Sequence, residues 1–406
     1  MLIRKLYHQI IPHLDSREVS VITGPRQSGK TTLLNQVADY LKGKGEYVVM
    51  LTLEDHSILS RLNQHPEFIF DFVIKNDAQK IYILIDEIQY LSDPSNFLKL
   101  LYDKHAGKLK LVVTGSSAFY IDQKFKDSLA GRKRLFELYT LGFDEFLQFR
   151  TGSDELMQEL SAMRDQLQYH PANLNEIRSL FNEYLTYGGY PAVVLAANVE
   201  EKKSILNDLL NSFIKRDIQE SNISNPDKFY QLMLLLSHQT GSLMNMHELS
   251  LTLRIAATTV ENYLYVLRKC YHLALLKPFH GNIRKELTKM PKAYFNDLGL
   301  RNALMNQFNP VFQRIDRGEV AENFAFIRIR ESSLSSDLFF WRTTDGNEID
   351  FIIRNSDGSG NAIEIKYNDA AFQPEKYKAF PAAYPNFTLS VRAIYTENPQ
   401  RELFRL

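Results

Sequence analysis

The chain has 406 residues, 44% hydrophobic and 24% charged, which excludes a disordered or low-complexity polypeptide and leaves room for two to four domains. Its 48 basic and 48 acidic residues cancel, so no global field draws it to nucleic acid or an anionic membrane, and any such contact must come from a local patch. A single cysteine, Cys270, excludes an intrachain disulfide and suits a reducing compartment, while the longest apolar runs fall far short of the roughly 20 residues that cross a bilayer.

In chain order, Leu2, Leu6, Ile10 and Leu14 recur every fourth residue. That spacing predicts an amphipathic helix, not the continuous apolar core of a signal peptide, and the expected location is the cytoplasm without membrane contact. Residues 19–23 read as a short buried strand. They lead into Gly24-Pro25-Arg26-Gln27-Ser28-Gly29-Lys30-Thr31, followed by Thr32 and by Leu33, Leu34, Val37, Ala38 and Leu41 at helical spacing. Strand, glycine turn and helix start make a phosphate cradle. The glycines let the backbone curl so that several N–H groups face one spot, and the helix N-terminus adds partial positive charge. In that setting Lys30 reaches the β- and γ-phosphates of ATP and the Thr31 hydroxyl holds Mg²⁺.

A second strand is expected at 47–53 and a third at 81–85, whose continuous apolar run ends in Asp86-Glu87. Such a run reads as a fully buried parallel strand with its tip at the ligand crevice. Asp86 is the second expected Mg²⁺ holder, and Glu87 the general base that orients the attacking water. A fourth strand, 109–114, brings Thr114 to the same crevice, where it or Ser116 can sense the γ-phosphate. Ser116 and Ser117 read equally well as a helix cap. Arg132, in the basic turn before a fifth strand at 135–141, is the expected charge stabiliser in cis or trans, with Arg134 in reserve. The alternative for both is a solvated turn.

These motifs, with Leu141-Gly142-Phe143-Asp144-Glu145-Phe146, Tyr187-Gly188-Gly189-Tyr190-Pro191 and Tyr294-Phe295-Asn296-Asp297-Leu298-Gly299-Leu300, resemble the AAA-type ATPases of bacteria and archaea that carry a C-terminal domain of unknown function. The resemblance spans nearly the whole chain. It implies ATP handling and a helical lid holding the Gly-Gly turn, with a suggested nucleotide-facing role for that turn.

Residues 151–222 read as helices that would form the lid. Residues 223–292 show the spacing of a winged helix-turn-helix: helices at 229–236, from Asn245, and from Ala256 through Leu267, then wing strands at 273–279 and Lys292–Phe295. Thr258, Thr259, Glu261 and Asn262 are poor base readers, and Glu261 would repel phosphate. Lys277, Arg284, Lys285, Lys289 and Lys292, opposed by Glu286, are the expected DNA-backbone contacts, the alternative being a solvated hairpin or protein-docking surface. From 293 the pattern becomes alternating, with strands at Leu338–Arg342 and 348–353 around the hairpin turn Thr344-Asp345-Gly346-Asn347. Residues 362–366 follow with Glu364 and Lys366 on one strand face. With Asp350 and with Glu322 on the preceding helix, this layout resembles the restriction-endonuclease superfamily. It implies Mg²⁺ held by Glu322, Asp350 and Glu364, with Lys366 as the catalytic lysine. Structural ion pairs are the alternative.

The expected fold is therefore α/β and multidomain. A P-loop NTPase core with a parallel sheet of the additional-strand, AAA-like type (1–150) precedes the lid (151–222), the winged helix (223–292) and a restriction-endonuclease-like domain (293–406). The expected activity is Mg²⁺-dependent ATP hydrolysis, with DNA and a second copy of the chain as candidate partners. An ATP-gated nuclease and a nucleotide-dependent scaffold are the rival readings.

Overall fold

The computed structural model describes residues 2–74, 80–105, 107–115, 129–166, 169–280, 289–332, 337–343, 345–398 and 401–406. Within these residues the chain divides into two compact units, Met1–Thr140 with Lys269–Tyr271, and Leu141–Arg268 with His272–Leu406. No described helix is long and apolar enough to cross a membrane.

In the first unit, helix α1 (Lys5–His13) precedes β1 (Val19–Thr23), α2 (Lys30–Gly43), β2 (Tyr47–Thr52), α3 (His56–Gln64), β3 (Ile81–Asp86), α4 (Pro94–His105), β4 (Leu109–Gly115) and β5 (Lys133–Glu137). Among the described residues the strands form one parallel sheet in the order β2-β3-β4-β1-β5. Strand β4 lies between β1 and β3, so an extra strand separates the phosphate-loop strand from the one that ends in Asp86. Neighbouring residues along each strand bury on opposite faces, because successive side chains of a strand alternate. Val19, Val21, Ile83, Ile85, Leu111 and Val113 pack with Leu62, Phe97, Leu98 and Leu101 of α3 and α4. Ile22, Tyr82, Leu84 and Val112 pack with Ile10, Leu33, Leu34, Val37 and Leu41 of α1 and α2. Each such fully buried side chain contributes on the order of 2 kcal/mol, and their joint effect fixes where the loop between β1 and α2 emerges.

The second unit begins with helices α5 (Phe143–Thr151), α6 (Asp154–Asp165), α7 (Leu174–Tyr187), α8 (Pro191–Leu195) and α9 (Val199–Glu220). Helices α10 (Pro226–His238), α11 (Met246–Leu253) and α12 (Ala257–Lys269) follow. The first unit closes at Thr140, ten residues before the boundary expected at 150, because Phe143, Phe146 and Leu147 bury against α6, α7 and the C-terminal elements. Strands β6 (Leu273–Pro278) and β7 (Lys292–Phe295), α13 (Leu298–Leu304), α14 (Arg317–Ser332), β8 (Leu338–Arg342), β9 (Glu348–Arg354), β10 (Gly360–Asn368), α15 (Ala379–Ala383) and β11 (Phe387–Tyr395) complete the unit. The two strands expected as a wing pair antiparallel, but β6 also pairs parallel with β8. They therefore continue a six-stranded mixed sheet, β11-β10-β9-β8-β6-β7.

The Gly-Gly turn has a packing role inside this unit. A Cβ on Gly189 would lie 2.0 Å from the Leu141 carbonyl oxygen, and one on Gly188, at φ +72°, would lie 2.5 Å from the Gly299 nitrogen. The Gly189 N–H donates to the Asp297 carboxylate at 2.8 Å, while the other oxygen of that carboxylate caps α13 through Leu300 N–H at 2.9 Å. Two motifs far apart in sequence thus dock on each other within this unit.

Candidate functional site

The phosphate loop joins the buried end of β1 to the first turn of α2. Gly24 is buried at φ +156°, and a Cβ there would lie 2.0 Å from the Leu138 carbonyl oxygen. Gln27 and Gly29 also carry positive φ, 57° and 96°, so the loop turns repeatedly through backbone conformations that favour glycine. Pro25 and Ser28 are buried, Arg26 is half-buried and Gln27 is exposed. Arg4, outside the motif, anchors the loop from behind, donating to Ser28 O at 2.7 Å and to Tyr139 O at 2.8 Å.

Lys30 is 5% exposed and folds back to donate to Pro25 O at 2.7 Å and Gly24 O at 3.1 Å. Burial pulls its ammonium down to about 8, opposed by the charges of Glu87 and Asp86. Among the described residues its hydrogen bonds go to two carbonyls and to no carboxylate, which leaves a buried cation short of negative charge. Among the described residues the buried Ser28 hydroxyl oxygen has no hydrogen-bond partner. Both observations, together with a backbone that leaves no room for a Cβ, fit an anion in the loop. Thr31 and Thr32 are exposed at the start of α2.

Strands β3 and β4 bring the acids to the loop. The Thr31 hydroxyl donates to Asp86 Oδ2 at 2.8 Å, and the Thr114 hydroxyl makes a short hydrogen bond to Asp86 Oδ1. Thr114 in turn accepts the Glu87 N–H at 3.0 Å. Glu87 sits at φ 58°, an uncommon conformation for a side-chain-bearing residue, and its carboxylate accepts a short hydrogen bond from the Gln89 amide. Lys30, Thr31, Asp86, Glu87 and Thr114 are thereby gathered at one end of the sheet. The expected alternative sensor, Ser116, and its neighbour Ser117 lie outside the described residues.

Arg132 is not gathered there within the same chain. All five strands run parallel, the loop follows β1, and Arg132 precedes β5, whose Lys133 is in register with Val19 and whose Glu137 is in register with Thr23. Four residues of rise, about 13 Å, separate the two ends. Arg132 pairs instead with Asp103 at 2.8 Å. Arg134, in register with Ser20, lies near the same end, its guanidinium 5.4 Å from the Phe136 ring centroid. A cis role for either is thus corrected by strand polarity.

Arg4, Glu137, Gln89 and Tyr271 were missed from sequence. The Tyr271 hydroxyl lies 2.7 Å from Thr23 Oγ1, at the root of the loop, and donates to Glu137 Oε1 at 3.2 Å. Burial, then the Glu137 charge, pushes this phenol far above its ordinary range. Nothing local marks such a residue, 248 positions from its partner.

The C-terminal carboxylates form a second constellation, in the second unit. Strand β9 pairs antiparallel with β10, Phe351 opposite Ile363, and one further step sets Asp350 opposite Glu364. Glu322 is supplied by α14. Lys292, expected on an exposed wing, is instead 1% exposed and inserted among these acids. Its Nζ lies 2.8 Å from Glu322 Oε1, 2.5 Å from Glu348 Oε1 and 3.7 Å from Asp350 Oδ1. Burial opposes the charge, but the carboxylates of Glu322, Asp350 and Glu348 outweigh it and hold the ammonium well above its ordinary range. Asp350 accepts the Ile365 N–H at 2.8 Å; burial, then Glu322 and Glu364, raise its carboxyl well above the usual range. Glu364 Oε1 accepts from Tyr377 at 2.8 Å and makes a short ion pair with Lys366. Glu348, Asp350, Glu364, Lys366 and Lys376 line a cleft of about 270 Å³ with Asn347 and Tyr377. Among the described residues no three Asp, Glu, His or Cys side chains are disposed to hold a metal ion. The three carboxylates implied by the family resemblance do not fit one Mg²⁺ together, because the Lys292 ammonium stands between Glu322, Glu348 and Asp350 while Glu364 pairs with Lys366. Of the other expected DNA contacts, Lys277 and Lys289 are exposed, and Arg284, Lys285 and Glu286 lie outside the described residues.

Comparison with known proteins matches three stretches of the chain to family models. Residues 16–147 match the family model described as AAA domain, residues 178–310 a domain of unknown function (DUF8612), and residues 317–402 another (DUF4143). The strand order and the loop make the first unit an AAA-type P-loop nucleotide-binding domain. An uncharacterized protein of Haemophilus influenzae is 27% identical over 92% of this chain and 87% of its own length. Uncharacterized protein MJ1637 of Methanocaldococcus jannaschii is 28% identical over 76% of this chain and 67% of its own. Among solved structures, PCH-2 of C. elegans has a TM-score of 0.30 at 16% identity, over 51% of this chain and 59% of that one. AMPPCP-bound DnaA of Aquifex aeolicus also has a TM-score of 0.30 at 16% identity, over 66% of this chain and 89% of that one. At such scores the fold assignment rests on this chain's own strand order.

Proposed function

We propose that the first unit hydrolyses ATP. The observation that carries this reading is the convergence of Lys30, Thr31, Asp86, Thr114 and Glu87 on one curled loop. Lys30 exchanges the Pro25 and Gly24 carbonyls for phosphate oxygens, and the loop backbone from Gly24 to Thr32 wraps the triphosphate. Mg²⁺, when bound with the nucleotide, would be held by Thr31 and Asp86 and would neutralise charge on the phosphates. Thr114 fixes the Asp86 carboxylate and, through the Glu87 N–H, the turn that carries the base. Glu87, once released by Gln89, orients water for attack on the γ-phosphorus. Phosphate release from ATP by the full chain in Mg²⁺, above a no-enzyme control and absent in Lys30→Ala, is the expected result. No release at any ATP concentration would overturn the reading.

Finer assignments belong to the same proposal. The order α10, α11, α12, β6, β7 supports a winged helix, and the mixed sheet carrying Asp350 and Glu364 on adjacent strands supports a restriction-endonuclease-like topology. The exposed Lys277 and Lys289 support contact with a DNA backbone. Arg132 is proposed only as a group acting on a second copy.

The state of Lys30 gives a pH signature. Its free-state pKa of about 8 lies below the ordinary lysine value, and bound phosphate raises it again. ATP affinity is therefore constant below pH 8 and falls as pH rises above it, by up to about tenfold per unit. Titrations at pH 7, 8 and 9 read this directly, and a flat profile contradicts the assignment.

A further inference from the structure

We infer that the acidic cluster of the second unit is a cation site occupied by the chain's own Lys292, so that the wild-type protein binds no divalent ion there. Removing the lysine charge opens the site to one.

The arrangement is built from three elements. Strand β7 supplies Lys292, α14 supplies Glu322, and β9 supplies Glu348 and Asp350. An ammonium has three donors. Two of them meet Glu322 and Glu348 at 2.8 and 2.5 Å, and Asp350 completes the shell at 3.7 Å. The shell is reinforced from outside: Tyr294, on the same face of β7 as Lys292, donates to Glu322 Oε1 at 2.6 Å. Hard divalent ions take the same carboxylate oxygens at about 2.0–2.6 Å. Such an ion would have to coincide with Nζ or sit beside it, and two cations cannot share one buried oxygen cage without expelling one another.

An independent observation lies on the adjacent strand. Glu364 is 4% exposed and its Oε1 is used by Tyr377 and Lys366, yet its Oε2 is buried without a hydrogen-bond partner among the described residues. The neighbourhood thus holds one carboxylate oxygen that no described donor satisfies. Lys292 also ties β7 to α14 and β9, so the ammonium joins the strands expected as a wing to the C-terminal sheet. While Lys292 is present, its ammonium takes the oxygens of Glu322 and Glu348 and lies beside Asp350, so a divalent ion cannot use Glu322 and Asp350 together.

Mn²⁺ uptake by the nucleotide-free full chain, read by electron paramagnetic resonance, tests this. Wild type and Asp350→Asn are expected to bind Mn²⁺ indistinguishably. Lys292→Ala is expected to gain about one equivalent, lost again in Lys292→Ala/Asp350→Asn, with the gained ion raising its melting temperature. Mn²⁺ bound by wild type and removed by Asp350→Asn overturns the inference. So does a folded Lys292→Ala, verified by circular dichroism, that gains none. If Lys292→Ala does not fold, Lys292→Gln takes its place with the same two outcomes, and the wild-type comparison decides independently.

Discussion

Glu87→Gln is expected to lower ATP turnover at saturating nucleotide by about 10²-fold or more, the usual contribution of a positioned general base, with nucleotide affinity unchanged within about threefold. The substitution keeps size and hydrogen-bonding capacity and removes only the ability to accept a proton. The backbone supports a dedicated role: Glu87 is held at φ 58°, and its N–H is fixed by Thr114, which also binds Asp86. A residue that merely ended a strand would need neither. Initial phosphate-release rates with parallel nucleotide titrations separate the outcomes. Unchanged turnover would assign the base elsewhere.

Gly24→Ala is expected to be the most damaging single-methyl change in the first unit. The added Cβ meets the Leu138 carbonyl at 2.0 Å, which is backbone and cannot rotate away, and φ is +156°. Strain of this kind and overpacking each cost about 1–3 kcal/mol. The unit should therefore lose on the order of 3 kcal/mol or more, roughly 10 °C in melting temperature. Relaxation displaces the loop from Thr23 onward, so ATP affinity should fall at least tenfold. A melting curve and affinity matching wild type would show that the loop does not need its curl.

The site was legible where a local spacing implies a chemistry. Gly24, Gly29, Lys30 and Thr31 declare a phosphate cradle by their intervals, and Asp86 declares a strand tip by ending an apolar run. For Arg132 the cis alternative is already disfavoured by the strand pattern. In a parallel sheet a residue just before a strand lies at the end opposite a loop that follows one, so its position was implied once the strands were read as parallel. Arg4 and Tyr271 had no local signal, since each acts on a partner more than 20 residues away. Lys292 offered a weak one. It shares a strand face with Tyr294, and a lysine in register with a buried tyrosine points inward. Read as part of a basic run, it was counted as surface. The charge count of the run was correct, but its geometry depends on β6 pairing with β8, which local pattern does not encode.

The central claim is that the loop from Gly24 to Thr32 grips a nucleoside triphosphate through Lys30. Isothermal calorimetry of ATP with Mg²⁺ against the full wild-type chain and its Lys30→Ala variant tests it most directly. The expected result is one saturable site in wild type and no measurable heat of binding in the variant, with both proteins equally folded. Binding absent from wild type, or undiminished in the variant, would contradict the account.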